Sequence, residues 1–296
     1  MQTQKSLLCL IVALAIQVCA LPLATTSPNK PTTTSTKTTT TRTSTTTKTS
    51  TTKTSTTTTT TTTPGPLSPA QFLNLGYNWY VQLPTAKSAN STVYGSSSNP
   101  GLQTFISPNF YVNSTKDGAV FYTPNSGITT GGSDHPRTEL REMCGPTGTL
   151  GSGWPSNDTI AHQLNVTMKV DAVPLTRIVV ITQVFAVMEG AQYTYRAGYQ
   201  NGKYYVALCT KSGCFTYDSN YTLGSLFSLN IEAFNNQVTT SYRNWVSGVT
   251  YKHTAPLALY LDYVFKAGSY CQVVKGVDDA SAYCQVTFSE VSVTPC

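Results

Sequence analysis

Short runs of β-branched and aromatic residues fill most of the chain after residue 100, and within them apolar and polar positions alternate. Alternation with a period of two is typical of strands that bury one face. The predicted strands include 104–112, 137–143, 160–170, 177–187, 192–198, 203–209, 226–234, 237–242, 258–266 and 283–293. Asn201-Gly202 predicts a tight hairpin between two of them, and Asn235-Asn236 predicts another from a weaker signal.

Helical periodicity is confined to one short candidate, around residues 68–75, directly after a proline-rich linker. Many strands at close spacing, rich in Thr, Val and Tyr, indicate an all-β fold. We therefore predict an antiparallel β-sandwich of the jelly-roll type.

The N-terminal part lacks this alternation and divides into two segments. Residues 1–20 have a positively charged start, an apolar run over 7–18 and a small-residue cleavage site at Ala20, as a secretory signal does. Residues 21–66 are dominated by Thr and Ser. Such a segment has little to bury and cannot offset the entropy lost on ordering, so we predict a disordered stalk that carries O-linked sugars.

Residues 67–296 then form one β domain, which is long enough for a substantial core. The apolar run of the signal is too short to span a bilayer and no later segment is longer, so no membrane span is expected. We predict a secreted, extracellular protein, expected to be a monomer, whose stalk could associate it with a cell wall.

The net charge of +6 is distributed unevenly between the N-terminal segments and the β domain. Six of the nineteen basic residues lie in the signal and the stalk, whereas all thirteen acidic residues follow residue 64. The domain is therefore formally neutral, and a nucleic-acid-binding surface is disfavoured.

Two of the eight cysteines lie in the signal, and the other six suit an oxidising compartment. Cys209 and Cys214 flank a short loop, and we predict that they form a disulfide. Sequence leaves three pairings open for the remaining four, which are Cys144, Cys271, Cys284 and Cys296. Because there is neither a Cys-x-x-Cys motif nor a His pair at ligand spacing, no metal site or required cofactor is expected, while a structural divalent cation is left open.

Five Asn-x-Ser/Thr sequons mark acceptor positions for N-linked glycans in a secreted chain. They begin at Asn90, Asn113, Asn157, Asn165 and Asn220.

The first stretch that suggests chemistry is 134–142, which reads Asp-His-Pro-Arg-Thr-Glu-Leu-Arg-Glu. In a strand, His135, Arg137, Glu139 and Arg141 would share one face, and Glu142 would lie on the other. Because a guanidinium can grip a carboxylate with two hydrogen bonds, this row suits an acidic ligand. A solvated strand is the open alternative.

Two further stretches carry polar residues at positions where a β domain is otherwise apolar. Gln183 is the one amide within the apolar run 181–185. Lys266, Tyr270 and Gln272 surround Gly268, a glycine that predicts a bulge or a close backbone approach.

Together these stretches resemble the alginate lyase superfamily, the jelly-roll polysaccharide lyases of families seven and twenty. The signatures of that superfamily are Arg-Thr/Ser-Glu-Leu-Arg, Gln-Ile/Val-His and Tyr-Phe-Lys-Ala-Gly-x-Tyr-x-Gln. The chain has the first in full at 137–141, Gln-Val-Phe at 183–185, and Val-Phe-Lys-Ala-Gly-Ser-Tyr-Cys-Gln at 264–272. Three motifs in the right order form a specific signal, whereas each alone is weak.

The resemblance implies a concave sheet that binds an acidic polysaccharide, with Tyr270 as the catalytic acid and base. By position, Arg137 and Gln183 would bind and neutralise the carboxylate on C5 of a uronate. This neutralisation is required because the C5 hydrogen is too weakly acidic to be removed beside a free carboxylate. The remaining motif residues would support substrate binding: Glu139, Arg141, Lys266 and Gln272.

The chain departs from the signatures at Phe185, where the family usually has His, and at Val264. In mannuronate and glucuronate the C5 hydrogen and O4 lie on the same side of the ring, so one tyrosine can act as base and acid. In guluronate they lie on opposite sides, and a second group, usually that His, is needed. We therefore expect a lyase for glucuronan or mannuronate-rich alginate, with His135 as the nearby candidate to replace the missing His.

Two other functions remain open from the sequence. A non-catalytic carbohydrate-binding sandwich would explain Phe185 but not the retained Tyr270 and Gln183. A glycoside hydrolase needs two carboxylates that face a common bond. Glu139 and Glu142 are expected to face apart, which disfavours this pair.

Overall fold

Sixteen strands and two short helices were found in a computed structural model, which describes residues 65–85, 92–95, 101–129, 133–144, 153–175, 177–187, 193–200, 205–210, 213–258 and 261–294. The predicted signal, the stalk as far as residue 64, the Asn90 sequon and the Asn201-Gly202 turn lie outside these residues. No helix among the described residues is long and apolar enough to cross a membrane.

The elements follow one another along the chain with mostly short connections. They are α1 Pro69–Phe72, β1 Trp79–Gln82, β2 Thr92–Gly95, α2 Gly101–Thr104, β3 Phe110–Val112, β4 Ala119–Pro124, β5 Arg137–Glu142, β6 Trp154–Pro155, β7 His162–Ala172, β8 Ile178–Ala186, β9 Tyr193–Gln200, β10 Tyr205–Thr210, β11 Gly213–Asp218, β12 Phe227–Phe234, β13 Gln237–Asn244, β14 Thr250–Pro256, β15 Asp262–Cys271 and β16 Tyr283–Val293.

The strands form two antiparallel sheets, as the sequence predicts. A nine-stranded sheet has the order β11-β10-β9-β8-β15-β5-β1-β2, with β6 paired to β15. A seven-stranded sheet has the order β14-β13-β12-β7-β16-β4-β3. Between them lies a core of alternating inward residues, among which Leu140, Phe265 and Phe288 are fully buried. The all-β sandwich is therefore confirmed.

Nine of the ten predicted strands are present with boundaries shifted by a few residues, and 104–112 is largely wrong. Its first residues belong to α2, and β3 begins only at Phe110. The reason is tertiary packing: Leu102 is fully buried, and Gln103 bonds through Nε2 to the Leu75 carbonyl oxygen, which lies just after α1. A propensity for strand is overridden by such contacts.

The predicted helix at 68–75 is confirmed as the shorter α1. Ser68 caps it, because its hydroxyl accepts from the Gln71 backbone N–H while the Gln71 side chain accepts from the Ser68 N–H. This reciprocal pair is a capping box.

The weaker hairpin signal is also confirmed. Asn235 and Asn236 connect β12 to β13, and their φ angles are 46° and 59°. Positive φ at both central residues matches the tight turn that suits the twist of a hairpin, and Asn tolerates it better than most residues.

Candidate active site

The three chemistry-bearing stretches lie on neighbouring strands, β5, β15 and β8. Lys266 is opposite Arg141 on one side and opposite Gln183 on the other, while Tyr270 is opposite Arg137. Directly opposite residues share a face of the sheet. Because Leu140 and Phe265 of the other face are in the core, this face points away from the seven-stranded sheet.

Glu139 is the centre of this face. Its carboxylate accepts hydrogen bonds from Gln183 Nε2 at 2.5 Å and from Arg137 Nη1 at 3.2 Å, and Lys266 Nζ lies 4.0 Å away. We call Arg137, Glu139, Gln183 and Lys266 the Glu139 cluster. All four are buried, so their charges interact with little screening from water. The predicted supporting role of Glu139 has a clear geometry: it holds the amide and the guanidinium in place.

Lys266 is the most perturbed group of the cluster. Burial lowers its pKa to about 7, since the charged ammonium loses its water, and the charges of Arg137 and Arg141 act in the same direction. Glu139 opposes this shift. A lysine that can lose its proton near neutral pH is common at functional sites.

Phe185, where the family signature has His, is covered by cations. Lys266 Nζ lies 3.5 Å from its ring centroid and Arg141 Cζ lies 5.4 Å from it. Both distances are within the range of cation–π attraction. Phe185 therefore interacts with the two cations through its ring but, unlike a His at this position, has no group that could take a proton.

Tyr270 lies beside Arg137, with the guanidinium carbon 3.9 Å from the ring centroid. The Tyr270 hydroxyl is 3.0 Å from Ser133 Oγ, which also accepts from Arg137 Nη2 at 2.8 Å. Ser133 was missed by the sequence analysis, because a serine in a loop before β5 carries no periodic or motif signal. It connects the predicted catalytic tyrosine to the predicted carboxylate-binding arginine.

His135 is near Tyr270, but for a different reason from the one predicted. The strand begins at Arg137, so His135 does not belong to the alternating row, and the expectation that it lies on that strand is wrong. A contact of 2.7 Å between His135 Nδ1 and the Val273 carbonyl oxygen places its ring 6.1 Å from that of Tyr270. Because a carbonyl can only accept, Nδ1 carries the proton, and Nε2 donates only when the ring is charged.

Both predictions for Gly268, a bulge and a close backbone approach, are confirmed. The register between β15 and β8 shifts between Ala267 and Tyr270, which is the predicted bulge. Its φ is +153°, and a Cβ there would lie 2.5 Å from the Thr138 carbonyl oxygen and 2.7 Å from the Cα of Glu139. Glycine is required for β15 to approach β5 this closely.

The two remaining substrate-binding candidates differ in their surroundings. Arg141 is half-buried in the row that continues from Lys266. Gln272 follows the end of β15, and its Nε2 atom is buried with no hydrogen-bond partner among the described residues. An unmet donor of this kind is available to a ligand.

One of the pairings that the sequence left open is now fixed. Cys271 and Cys284 form a disulfide that joins β15 of one sheet to β16 of the other. Cys144 and Cys214 are also disulfide-bonded. Cys214 lies directly opposite Cys209 in the β10–β11 pair, which supports the predicted bond. The structure describes the backbone of Cys209 but not its side chain.

No group of three or more His, Cys, Asp or Glu side chains in the described part of the chain is arranged to hold a metal ion. The site contains a buried carboxylate surrounded by two cations and an amide, with the Arg141 guanidinium, the Tyr270 phenol and the His135 imidazole nearby. This arrangement can bind a negatively charged group and move a proton next to it.

The comparisons with known proteins agree with this chemistry. A family model described as alginate lyase matches residues 73–295. No curated protein matches the chain by sequence. Among solved structures, alginate lyase AlgAT5 of polysaccharide lyase family 7 is 26% identical with a TM-score of 0.66, and the match covers 78% of this chain and 99% of that one.

Two more solved structures extend the comparison. An alginate lyase from Corynebacterium sp. is 25% identical with a TM-score of 0.66, over 78% of this chain and all of the other. Family 7 alginate lyase A1-II′, solved in complex with substrate (GGMG), shares the fold at 22% identity, with a TM-score of 0.63 over 78% of this chain and 97% of that one. The family model spans most of the chain, and the jelly-roll sandwich is shared over nearly the full length of these enzymes. The chain therefore belongs to the alginate lyase family of polysaccharide lyases.

Proposed function

We propose that the protein cleaves a β-1,4-linked polyuronate by β-elimination and prefers glucuronan or mannuronate-rich alginate. The observation that supports the proposal is the position of the Tyr270 hydroxyl, which Ser133 connects to Arg137 of the Glu139 cluster. Phe185 occupies the position of the family's histidine and contacts Lys266 of the same cluster. Family membership supports the reaction class, and these residues support the finer choice of substrate.

The first requirement of the reaction is to offset the charge on the C5 carboxylate. Arg137 and Gln183 each use only part of their donor capacity on Glu139 and Ser133, so each keeps further N–H groups for a substrate oxygen. A charged His135 adds a donor at Nε2. These donors would stabilise the negative charge that spreads onto the carboxylate when the C5 hydrogen leaves.

The second requirement is a base and an acid. Tyr270 as the phenolate removes the proton from C5, the electron pair forms the C4–C5 double bond, the C4–O4 bond breaks, and the departing O4 takes the proton from Tyr270. The Arg137 guanidinium lies over the Tyr270 ring, next to the position where the negative charge would develop. The Ser133 hydroxyl, which otherwise donates to the His135 carbonyl, can turn to donate to the phenolate.

The substrate preference follows from what surrounds Tyr270. A single tyrosine can perform the elimination when the C5 hydrogen and O4 lie on one side of the ring, as in glucuronate and mannuronate. Guluronate needs a base on the other side, and Phe185 cannot supply one. We therefore propose that polyguluronate is a poor substrate.

The test is the ultraviolet absorbance of the unsaturated uronate product, with glucuronan, polymannuronate and polyguluronate at equal uronate concentration. We expect the initial rate to be highest on one of the first two. Tyr270→Phe should lower turnover by about 10²–10⁴-fold, the usual contribution of general acid–base catalysis. Tyr251→Phe on the seven-stranded sheet is the matched control and should leave turnover unchanged.

Three results would contradict the proposal: a preference for polyguluronate, near-normal turnover in Tyr270→Phe, or binding of the polymers without any product. The last result would favour a carbohydrate-binding module. We also propose that the protein is secreted, as the N-terminal segment predicts, which the recovery of the mature chain from the culture medium would test.

A further inference from the structure

The outer face of the seven-stranded sheet carries a groove of about 360 Å³, separate from the active site. Two rows of polar residues cross it where β7, β12 and β13 lie side by side. One row is Asn165, Asn230 and Ser241, and the other is Thr167, Ser228 and Arg243. A small polar surface of this kind is ordinary for a solvated sheet, so the aromatic residue at its edge is the informative feature.

Trp245 follows β13 and forms one wall of the groove, with half of its surface exposed. The Arg243 guanidinium carbon lies 3.9 Å from its ring centroid. An exposed indole that is held in place offers a flat apolar surface with a polar edge, which suits the carbon–hydrogen face of a sugar ring.

A chain of hydrogen bonds fixes this indole across three strands. Trp245 Nε1 donates to Ser228 Oγ at 2.6 Å, and Ser228 Oγ lies 2.9 Å from Thr167 Oγ1. Thr167 Oγ1 donates to Glu290 Oε2 at 3.1 Å. Because an indole N–H and a carboxylate stand at the two ends, every hydroxyl between them must donate in the same direction.

The same groove contains one of the glycosylation sequons, Asn165-Val166-Thr167, and all three of its residues line the groove. Asn165 Oδ1 accepts a hydrogen bond from Asn230 Nδ2. This bond leaves Asn165 Nδ2, the atom to which a glycan is attached, for the groove. The threonine of the sequon is also the residue that carries the hydrogen-bond chain from Trp245.

We propose that Asn165 carries an N-linked glycan whose first N-acetylglucosamine packs against Trp245 in this groove. The bond forms between Asn165 Nδ2 and C1 of the sugar, the amide nitrogen gives up one proton, and the lipid diphosphate of the glycosyl donor leaves. The groove contains one positive side chain, Arg243, and one negative side chain, Glu290. This balance favours a neutral glycan over the anionic polymer that we propose for the active site.

The inference rests on secretion but not on the proposed activity, so the two can fail separately. The full chain is directed into a eukaryotic secretory pathway by its own N-terminus and, in a second arm, by a signal of the host. Peptide mass spectrometry of the secreted protein should find a hexosamine-containing glycan on Asn165. An unmodified Asn165 in both arms would overturn the proposal.

The contact with Trp245 has its own readout, because Trp79 and Trp154 are each 2% exposed whereas Trp245 is 50% exposed. Quenching of tryptophan emission by acrylamide therefore reports on Trp245. We expect the quenching constant of the glycosylated protein to be about twofold lower than after enzymatic removal of the glycans, because the sugar would cover the exposed indole face.

Three variants assign this effect. Asn165→Gln should quench like the deglycosylated protein, Thr167→Ser should keep both the glycan and the protection, and Trp245→Phe should lose most of the quenchable emission. Equal quenching of the wild type before and after deglycosylation would overturn the proposal, and this comparison does not depend on the folding of any variant.

Discussion

Two carboxylates on the same strand, Glu139 and Glu142, are both fully buried and lie on opposite faces of β5. Glu139 faces the active site, where two cations and an amide surround it. Glu142 faces the core and accepts from two neutral donors, the Phe265 backbone N–H at 2.9 Å and Trp154 Nε1 at 3.3 Å. Burial raises the pKa of Glu142 to about 7.

The two carboxyl groups are alike in burial and differ in the described groups that hydrogen-bond to them, which are a guanidinium and an amide at Glu139 and a backbone N–H and an indole N–H at Glu142. A neutral donor satisfies a carboxylate oxygen but offsets little of its charge. Glu142 lies at the end of β5, where β6 pairs with β15. Its carboxylate accepts hydrogen bonds from the Phe265 N–H on β15 and from Trp154 on β6. Glu139 instead positions the cations and the amide of the active site, whereas Glu142 connects β5 to β15 and β6 by hydrogen bonds.

The largest contrast should come from removing each charge with the same substitution. Glu139→Gln leaves Arg137 and Lys266 buried without their counter-charge, so we expect about 3–5 kcal/mol of lost unfolding free energy. Glu142→Gln at pH 7 keeps an acceptor for Phe265 and should cost much less. Urea unfolding of both variants checks this. Equal losses would show that the two carboxylates have equivalent surroundings.

The next effect concerns pH. The pKa of Glu142 is raised in the folded state from 4.5 to about 7, so this group stabilises the fold at low pH and loses that contribution as pH rises from about 4.5 to about 7. At 1.36 kcal/mol per pKa unit the full change is about 3 kcal/mol. The difference in unfolding free energy between wild type and Glu142→Gln should therefore move in favour of the variant across this window. A difference that stays constant with pH would contradict the raised pKa.

The smallest effect should come from Phe185, which touches the Glu139 cluster without belonging to it. Phe185→Leu keeps an apolar side chain but removes the ring beside Lys266 and Arg141, so we expect a loss of about 0.5–2 kcal/mol from cation–π contacts. Thermal unfolding measures this loss. Phe234→Leu, at an exposed position on the seven-stranded sheet, is the matched control, and a loss no larger than in that control would remove the proposed role of the ring.

The sequence predicted those features that depend on alternation or on a local conformational requirement. The opposite orientation of Glu139 and Glu142 follows from the two-residue period of a strand. The bulge at Gly268 and the hairpin at Asn235-Asn236 follow from residues that tolerate unusual backbone angles.

Features that depend on contacts between distant segments were not predictable in this way. Ser133 lies beside Tyr270 across 137 positions of sequence, and nothing in the local pattern indicates it. The edge strand β14 was missed because its residues are all exposed or half-exposed, so it lacks the buried apolar row that marks the other strands. The three motifs were brought together by resemblance to a family, not by their spacing.

The disulfide between Cys271 and Cys284 has a consequence for when activity arises during synthesis. Cys271 directly follows Tyr270, and Cys284 lies on β16, which is the last of the described strands and pairs with β4 and β7. Domains fold as their segments leave the ribosome, and pairing of distant strands is slow. The residue next to the catalytic candidate can therefore be locked only after β16 has been made and has paired with its neighbours in the second sheet. An incomplete chain of this protein can hold most of the sandwich and still lack a fixed Tyr270.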